Sequence, residues 1–542
     1  MKAQCLPFQQ IPHTTRLFLD YLSYAPSVCG MYPRSPIFSE WVRDESQRVV
    51  YDAARRGKVS EILERQNRAW GASAKTLANI ERLRRGALTA VTGQQVGLFG
   101  GPLFSIFKAL TAVKLAEQAT AAGVDCVPVF WLATEDHDLA EVNHVALASE
   151  HGLPERFAVE SHGVEDAPVG TVKFGPEIEP VVERAATLLG DSEVATWLRQ
   201  AYRPGESLGS AFALLFARLF ADWGVILLDP ADKHFHDLAK PLFRAAIEQA
   251  SELDDALLAR GKALEAAGYH QQVKVTPATT LLFEVKNGAR TVVRRRNNGA
   301  NGNGGDFAVG EERISAKELL DRIEESPERF NPNVLLRPVV QDYLLPTLVY
   351  TGGAAEVAYF AQLAVVYEKL LGRVTPILPR FSATLLEAKS ERILTRYQLG
   401  LAEVFQGPEK IREAVAAGSL PPDLQTRFSE AYASVEQSMA AVRESIGKLD
   451  STLIEAADRA RIRMWYQITQ LHRRASRAEL LRNEVITRHA DALSHALFPH
   501  KALQEREVGG VSFVARYGPD LLANLYRHIL PDCHDHQVIE VR

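Results

Sequence analysis

The sequence predicts an α/β protein: a doubly wound parallel sheet with two connecting insertions and a long α-helical coiled-coil arm. Three observations predict it. Two almost wholly apolar segments of strand length, Ala87–Val91 and Val127–Ala133, flank a Gly-rich turn and a single helix, and such a strand–helix–strand unit carries parallel strands buried on both faces. Short alternating segments interrupt this pattern near 150–200 and 265–330, as antiparallel insertions would. Finally, Phe428, Tyr432, Val435, Met439, Val442, Ile446, Leu449 and Leu453 alternate spacings of four and three, which is a heptad seam.

Taken in order, residues 35–85 read as amphipathic helices rich in Arg and Glu, and Glu81–Arg85 leads into the first strand. That strand ends in Thr92-Gly-Gln-Gln, followed by Gly97, Gly100, Gly101 and Pro102. Pro102 suits the first turn of a helix running from Leu103 to about Ala122, with apolar Leu103, Phe107, Leu110 and Val113. The second strand ends in Thr-Glu-Asp-His-Asp. Further core strands are expected at Val225–Asp229, Leu348–Thr351 and Thr375–Leu378, separated by helices such as Ala211–Trp223. In the second insertion, Leu281–Lys286 and Arg290–Arg294 read as strands, and the Asn/Gly run 297–305 reads as a mobile surface loop without chemistry. The core therefore spans 1–380, including the N-terminal helical segment. The arm spans 381–496, and 497–542 returns to the core, with Val511–Leu525 as the returning stretch.

Within the arm, Gly447–Asp450 fits the tip of a helical hairpin, with one continuous helix as the competing reading. An arm of this length predicts a homodimer through the coiled coil. Its Arg459, Arg461, Arg463, Arg473, Arg474 and Arg477 make either a solvated face or an anion or nucleotide contact.

Composition narrows the function. At 542 residues, 46% apolar and 24% charged, the chain reads as globular and multidomain. A net charge of -5 gives no bulk attraction for phosphate polymers, so no nucleic-acid partner is expected. Cys5, Cys29, Cys126 and Cys533 are far apart and form no Cys-x-x-Cys, so no metal site and no dithiol motif is expected. Gln9, Gln10, His13 and Arg16 interrupt any apolar leader. The run Val124–Thr134 is about half a bilayer span. A cytoplasmic protein without a membrane partner is expected.

Parallel α/β sheets bind ligands beyond the carboxyl ends of their strands. After the first strand, Thr92, Gln94 and Gln95 offer neutral hydrogen-bonding groups, while Gly93 and Gly97 let a ligand approach the backbone. The spacing is neither Gly-x-Gly-x-x-Gly nor a P-loop. After the second strand come Glu135, Asp136, His137 and Asp138, with Asn143 and His144 beyond. Three readings stand: acid–base or substrate contact by His137 with Asp136 or Asp138, a divalent-metal set, and a plain helix N-cap. A third strand end, Thr351-Gly352-Gly353 with Glu356 in the following helix turn, fits a nucleotide or substrate pocket or a simple turn. Gln341 and Asp342 precede it, and Arg337 is placed to meet a substrate carboxylate or Asp342. No Gly-x-Ser-x-Gly is present.

Several of these stretches carry a family resemblance. Thr92-Gly-Gln-Gln-Val-Gly-Leu-Phe-Gly-Gly-Pro-Leu-Phe, Pro128-Val-Phe-Trp-Leu-Ala-Thr-Glu-Asp-His-Asp, Arg337-Pro-Val-Val-Gln-Asp-Tyr-Leu-Leu-Pro-Thr, Gly352-Gly-Ala-Ala-Glu-Val-Ala-Tyr-Phe and Leu503-Gln-Glu-Arg together resemble the BshC family of bacillithiol biosynthesis proteins. The resemblance implies a cysteine ligase that adds L-cysteine to glucosaminyl-malate by amide formation. It also implies a Rossmann-like core related to class I nucleotidyl-transfer enzymes such as cysteinyl-tRNA synthetase, and a dimerising coiled coil. Amide formation requires an activated carboxylate, most simply made by ATP as an acyl-adenylate or acyl-phosphate, so ATP or ADP is the cofactor the resemblance implies. On this reading Thr92–Gly97 holds a carboxylate or phosphate. His137, oriented by Asp136 or Asp138, accepts the amine proton, and Gly352, Gly353 and Glu356 line a nucleotide pocket. The chain departs from the synthetases in lacking His-x-Gly-His after the first strand, Lys-Met-Ser-Lys-Ser and a zinc ligand set. A nucleotide-binding coiled-coil scaffold and a nucleotidyl-transfer enzyme are the competing functions.

Overall fold

The computed structural model describes residues 2–149, 153–160, 164–296, 306–418, 420–482 and 484–542. At its centre lies a five-stranded parallel sheet of β1 (Leu88–Gln94), β2 (Cys126–Leu132), β3 (Ile226–Leu228), β4 (Thr347–Gly352) and β5 (Ile377–Pro379), in the order β5-β4-β1-β2-β3. Both faces are covered. Val91, Val127, Val129 and Trp131 enter one core, while Phe130, Leu132 and Leu227 enter the other. Near-continuous apolar strands are what burial on two sides demands.

β1 runs further than its apolar stretch suggests. Thr92, Gly93 and Gln94 continue the ladder opposite Phe130, Trp131 and Leu132, so these residues sit on the strand end rather than in the turn. Helix α1 (Leu103–Ala121) follows β1 and packs into the core on one face; α2 (Ala354–Leu371) follows β4 and packs into the other. Strand order reverses between these neighbours, which opens a crevice at their carboxyl ends. The turn before α1 is tight enough that a Cβ on Gly97 would stand 2.9 Å from the Gly101 Cα.

The connection from β2 to β3 differs from the alternating pattern expected. Among the described residues only the antiparallel pair His144–Leu147 and Glu155–Ala158 is strand, and helices Ile178–Leu189, Glu193–Ala201 and Leu208–Leu219 follow. The buried set Ile178, Val182, Ala185 and Ala186 has helical spacing, so the period there is nearer 3.6 than 2. Between β3 and β4, two helices lead to an antiparallel sheet of Thr279–Lys286, Ala289–Arg295, Asp306–Val309, Glu312–Ser315 and Phe330–Pro332. The segment 297–305 lies outside the described residues.

Beyond Arg380 the chain is not yet helical. Ala383–Glu387 runs parallel to His536–Val541, which also pairs antiparallel with Ala3–Leu6. Helices α3 (Pro422–Leu449) and α4 (Ile454–Arg482) then form a hairpin, reversing where Asp450 Oδ1 accepts from Thr452 N at 2.8 Å. Much of the heptad seam is satisfied within the chain. Phe428 meets His472 and Tyr432 meets Trp465, each pair with ring centroids 4.7 Å apart. Arg461 pairs with Glu436, Arg459 with Glu455 and Arg477 with Glu413. Val511, Phe513, Leu521 and Leu525 of the last helices join the core behind α1. Among the described residues no helix is long and apolar enough to cross a membrane.

Cys5 and Cys533 sit at opposite ends of the chain, yet with Asp535 they bring three ligand atoms within 4.8 Å of one another. The strand pairing Cys5 with Gln537 draws the ends together, which sequence spacing cannot show.

Candidate active site

A cleft of about 400 Å3 opens at the carboxyl ends of β1 and β4. Gly93, Gln94, Gln95, Asp136, Arg337, Gly353 and Glu356, all chosen from sequence, line it. At its floor Lys108, buried on α1, donates to Gly93 O at 2.7 Å and Gln94 Oε1 at 2.9 Å, and pairs with Glu356 Oε2 at 2.6 Å. Glu356 in turn accepts from Tyr350 OH at 2.6 Å and from Gly353 N at 2.7 Å, capping the N-terminus of its own helix. A Cβ on Gly352 would lie 2.7 Å from the Glu356 Cβ, so only glycine lets the carboxylate fold back here.

Burial by itself raises the Glu356 carboxyl, but Lys108 overrides it and holds the group below its ordinary value. Burial lowers the Lys108 ammonium from 10.5 to about 8, with Glu356 opposing. The unfolded chain therefore binds more protons between about 8 and 10.5, so this group makes stability rise with pH across that window. Ligand binding responds in the opposite sense. Above pH 8 Lys108 loses its charge and leaves Glu356 uncompensated, so KM for an anionic substrate should rise about tenfold per pH unit. Steady-state kinetics from pH 6.5 to 9.5 checks this; Lys108→Arg, which does not titrate, should show no break near pH 8.

The other charges are unevenly placed. Arg337 donates to Gln341 Oε1 at 3.1 Å and, at 3.4 and 3.3 Å, to the hydroxyls of Tyr350 and Tyr359. Among the described residues it has no carboxylate partner, and Arg506 makes no side-chain hydrogen bond or ion pair. Arg380, by contrast, is locked to buried Glu505 at 2.7 and 3.1 Å. From the β2 side come two carboxylates, Asp136 and Glu141, bridged by Gln95 Nε2 at 2.6 and 2.7 Å. The cleft thus offers two guanidiniums without a carboxylate partner among the described residues, and two carboxylates, a pattern that complements a ligand carrying both acid and amine groups.

Other residues singled out from sequence lie elsewhere. His137 does not line this cleft; it faces an adjoining cavity of about 700 Å3 that shares Asp136 and Glu141. Its Nδ1 accepts from Arg290 at 3.0 Å, which leaves a ring proton on Nε2. Asp138 caps the short helix Leu139–Val142, accepting from Glu141 N at 3.2 Å. Asn143 closes that helix and contacts His144. Glu135 is buried against His236 and Asn331. Thr92 ties β1 to β4 through Thr351 O at 2.8 Å, Gln341 supports Arg337, and Gly97 shapes the turn.

Sequence reasoning missed Lys108, Tyr350, Tyr359, Arg380 and Arg506. One signal was readable: Lys108 is the single charge in the run Leu103–Val113, and a charge there has to be paired in the fold.

Comparison with known proteins fits this architecture. A family model described as "Bacillithiol biosynthesis BshC, N-terminal Rossmann-like domain" matches residues 1–381, and one described as "Bacillithiol biosynthesis BshC, C-terminal coiled-coil domain" matches 383–541. Relatives named "Putative cysteine ligase BshC" include those of Koribacter versatilis, 49% identical with 100% of each chain covered, and Solibacter usitatus, 37% identical with 100% of each covered. That of Salinibacter ruber is 34% identical over 97% of this chain and 96% of its own. With a Rossmann-like body and a coiled-coil domain matched across almost its whole length, the chain belongs to the BshC family of bacillithiol biosynthesis.

Proposed function

We propose that this protein is a cysteine ligase that joins L-cysteine to the amine of glucosaminyl-malate, the last step of bacillithiol formation. The observation that carries the reading is the charge division of the cleft. Arg337 and Arg506, without carboxylate partners of their own among the described residues, suit the malyl carboxylates. Asp136 and Glu141, held by Gln95, suit the amine. In the reaction the activated cysteine carbonyl is attacked by the amine nitrogen, the C–N bond forms as the activating group departs, and the amine proton passes to Asp136. His137 serves as a positioning residue, its backbone N donating to Asp136 Oδ1 at 2.8 Å. ATP is the activating substrate in this scheme.

Incubating the full chain with cysteine, glucosaminyl-malate and ATP, and following thiol product and nucleotide by mass spectrometry, tests this. Amide product with matching AMP or ADP supports it. Product without nucleotide turnover removes ATP from the scheme, and nucleotide binding without product supports a scaffold instead.

The arm is proposed to pair with a second copy. Val442, Ile462, Met464, Tyr466 and Leu471 remain exposed on the hairpin, more apolar surface than a solvated arm requires. Sedimentation should give a dimer that Ile462→Glu with Leu471→Glu converts to a monomer.

A further inference from the structure

We propose that Cys5, Cys533 and Asp535 form a binding site for a soft divalent cation of the zinc class. The site lies outside the cleft, where the two ends of the chain meet. Two sulfurs and a carboxylate oxygen stand within 4.8 Å of one another. A tetrahedral zinc, with Zn–S of about 2.3 Å and Zn–O of about 2.0 Å, needs donors about 3.5–3.8 Å apart, so small side-chain rotations close the set. Its backbone is already held. Cys5 is fixed by the ladder to Gln537, and Cys533 N donates to Leu530 O at 2.9 Å. Cys5 is exposed, which gives a cation access and leaves the fourth position to water.

Chemistry favours a soft metal. Thiolates select zinc-class ions over magnesium or calcium, and a cation relieves the mutual repulsion of three donors that are anionic when they ligate. Binding releases the two thiol protons to solvent. The next residue links the site to the cleft. His536 contacts Ser382 Oγ at 2.8 Å and Thr384 Oγ1 at 2.9 Å, and Ser382 donates to Glu505, the partner of Arg380. An ion here would pin the C-terminal strand behind that arginine.

The test uses the reduced, metal-stripped full chain, titrated with zinc against a chromogenic chelator and separately with cobalt(II). One zinc per chain and a thiolate-to-cobalt charge-transfer band are expected. Cys5→Ser with Cys533→Ser should abolish the band and weaken zinc binding by more than the about 10- to 100-fold that loss of a ligand's supporting residue costs. Asp535→Asn should keep the band and weaken zinc binding about tenfold. Zinc should raise the melting temperature of the native chain but not of the double variant. Zinc uptake unchanged in the double variant overturns the proposal, as does a reduced native chain that takes no metal or instead yields a Cys5–Cys533 disulfide on exposure to air.

Discussion

For the proposed cysteine-ligase reaction, Arg337→Met is expected to lower kcat/KM for glucosaminyl-malate about ten- to hundredfold while leaving the fold intact. The magnitude follows from the bonds the guanidinium makes and those it leaves free. Its contacts to Tyr350 and Tyr359 are long, and only Gln341 is bonded closer than 3.2 Å. Of its five N–H donors, these contacts engage up to three, two of them weakly, which leaves about two for a ligand in the cleft that Arg337 lines. A hydrogen bond to a charged group contributes about 1.5–3 kcal/mol, and about 1.4 kcal/mol is tenfold in rate. The loss should appear in KM rather than kcat, because carboxylate binding at a distance from the reacting amine is alike in ground and transition states. Stability should hold or rise, since the variant removes a half-buried cation that has no carboxylate partner among the described residues. Arg337→Lys should rescue little, lacking the planar fork. The decisive comparison is glucosamine, which has no malyl group: its kcat/KM should be nearly the same in both enzymes. An equal loss on both substrates would show that Arg337 acts elsewhere.

That prediction draws on a residue the sequence offered and on partners it could not. β1 and β2 were legible because strands buried on both faces write uninterrupted apolar runs, and the heptad seam was legible because its period is set by one helix alone. The strand-end position of Gly93, Gln94 and Glu356 followed from the same logic. What stayed hidden depends on contacts between distant segments. Arg506 reaches the cleft from the last forty residues, and Arg380 became part of it only through Glu505. His137 shows the converse. Its carboxylate neighbours are legible in the sequence, whereas Arg290, a residue 153 positions away, bonds its Nδ1 and the ring lines the adjoining cavity, contacts set only by the fold. Asp138, where capping and chemistry were both open, is a cap. The connection after β2 was misread because short helices between Gly and Pro residues resemble alternating strands until their buried face is known.

Glu505→Ala is expected to destabilise the protein by about 3–5 kcal/mol, as loss of one partner from a buried ion pair does. Both carboxylate oxygens are fully engaged: Oε1 accepts from Arg380 and from Ser382 Oγ at 3.0 Å, Oε2 from Arg380 and from Ala383 N at 3.0 Å. Burial pushes the Glu505 carboxyl up, and the Arg380 guanidinium more than offsets it, holding the group below the usual range. A lowered carboxyl contributes stability above its unfolded value that is lost as pH falls through the folded one. His536 acts in the same direction. Burial pushes it from 6.5 down to about 4, so between about 6.5 and 4 the unfolded chain takes up a proton that the fold refuses, and stability falls with pH. Chemical unfolding of the full chain at pH 7.5 and 5 should therefore show a lower midpoint at pH 5. At pH 7.5 Glu505→Ala should fall well below the native chain. Removing both charges separates the pair's cost from its role. Arg380→Met with Glu505→Leu should recover most of the stability, because two apolar groups replace two desolvated ions. It should not recover activity, because Arg380 also lines the cleft beside Lys108. If the double variant were as unstable as Glu505→Ala, the strand Ala383–Glu387 would depend on the carboxylate's bonds to Ser382 and Ala383 more than on the ion pair.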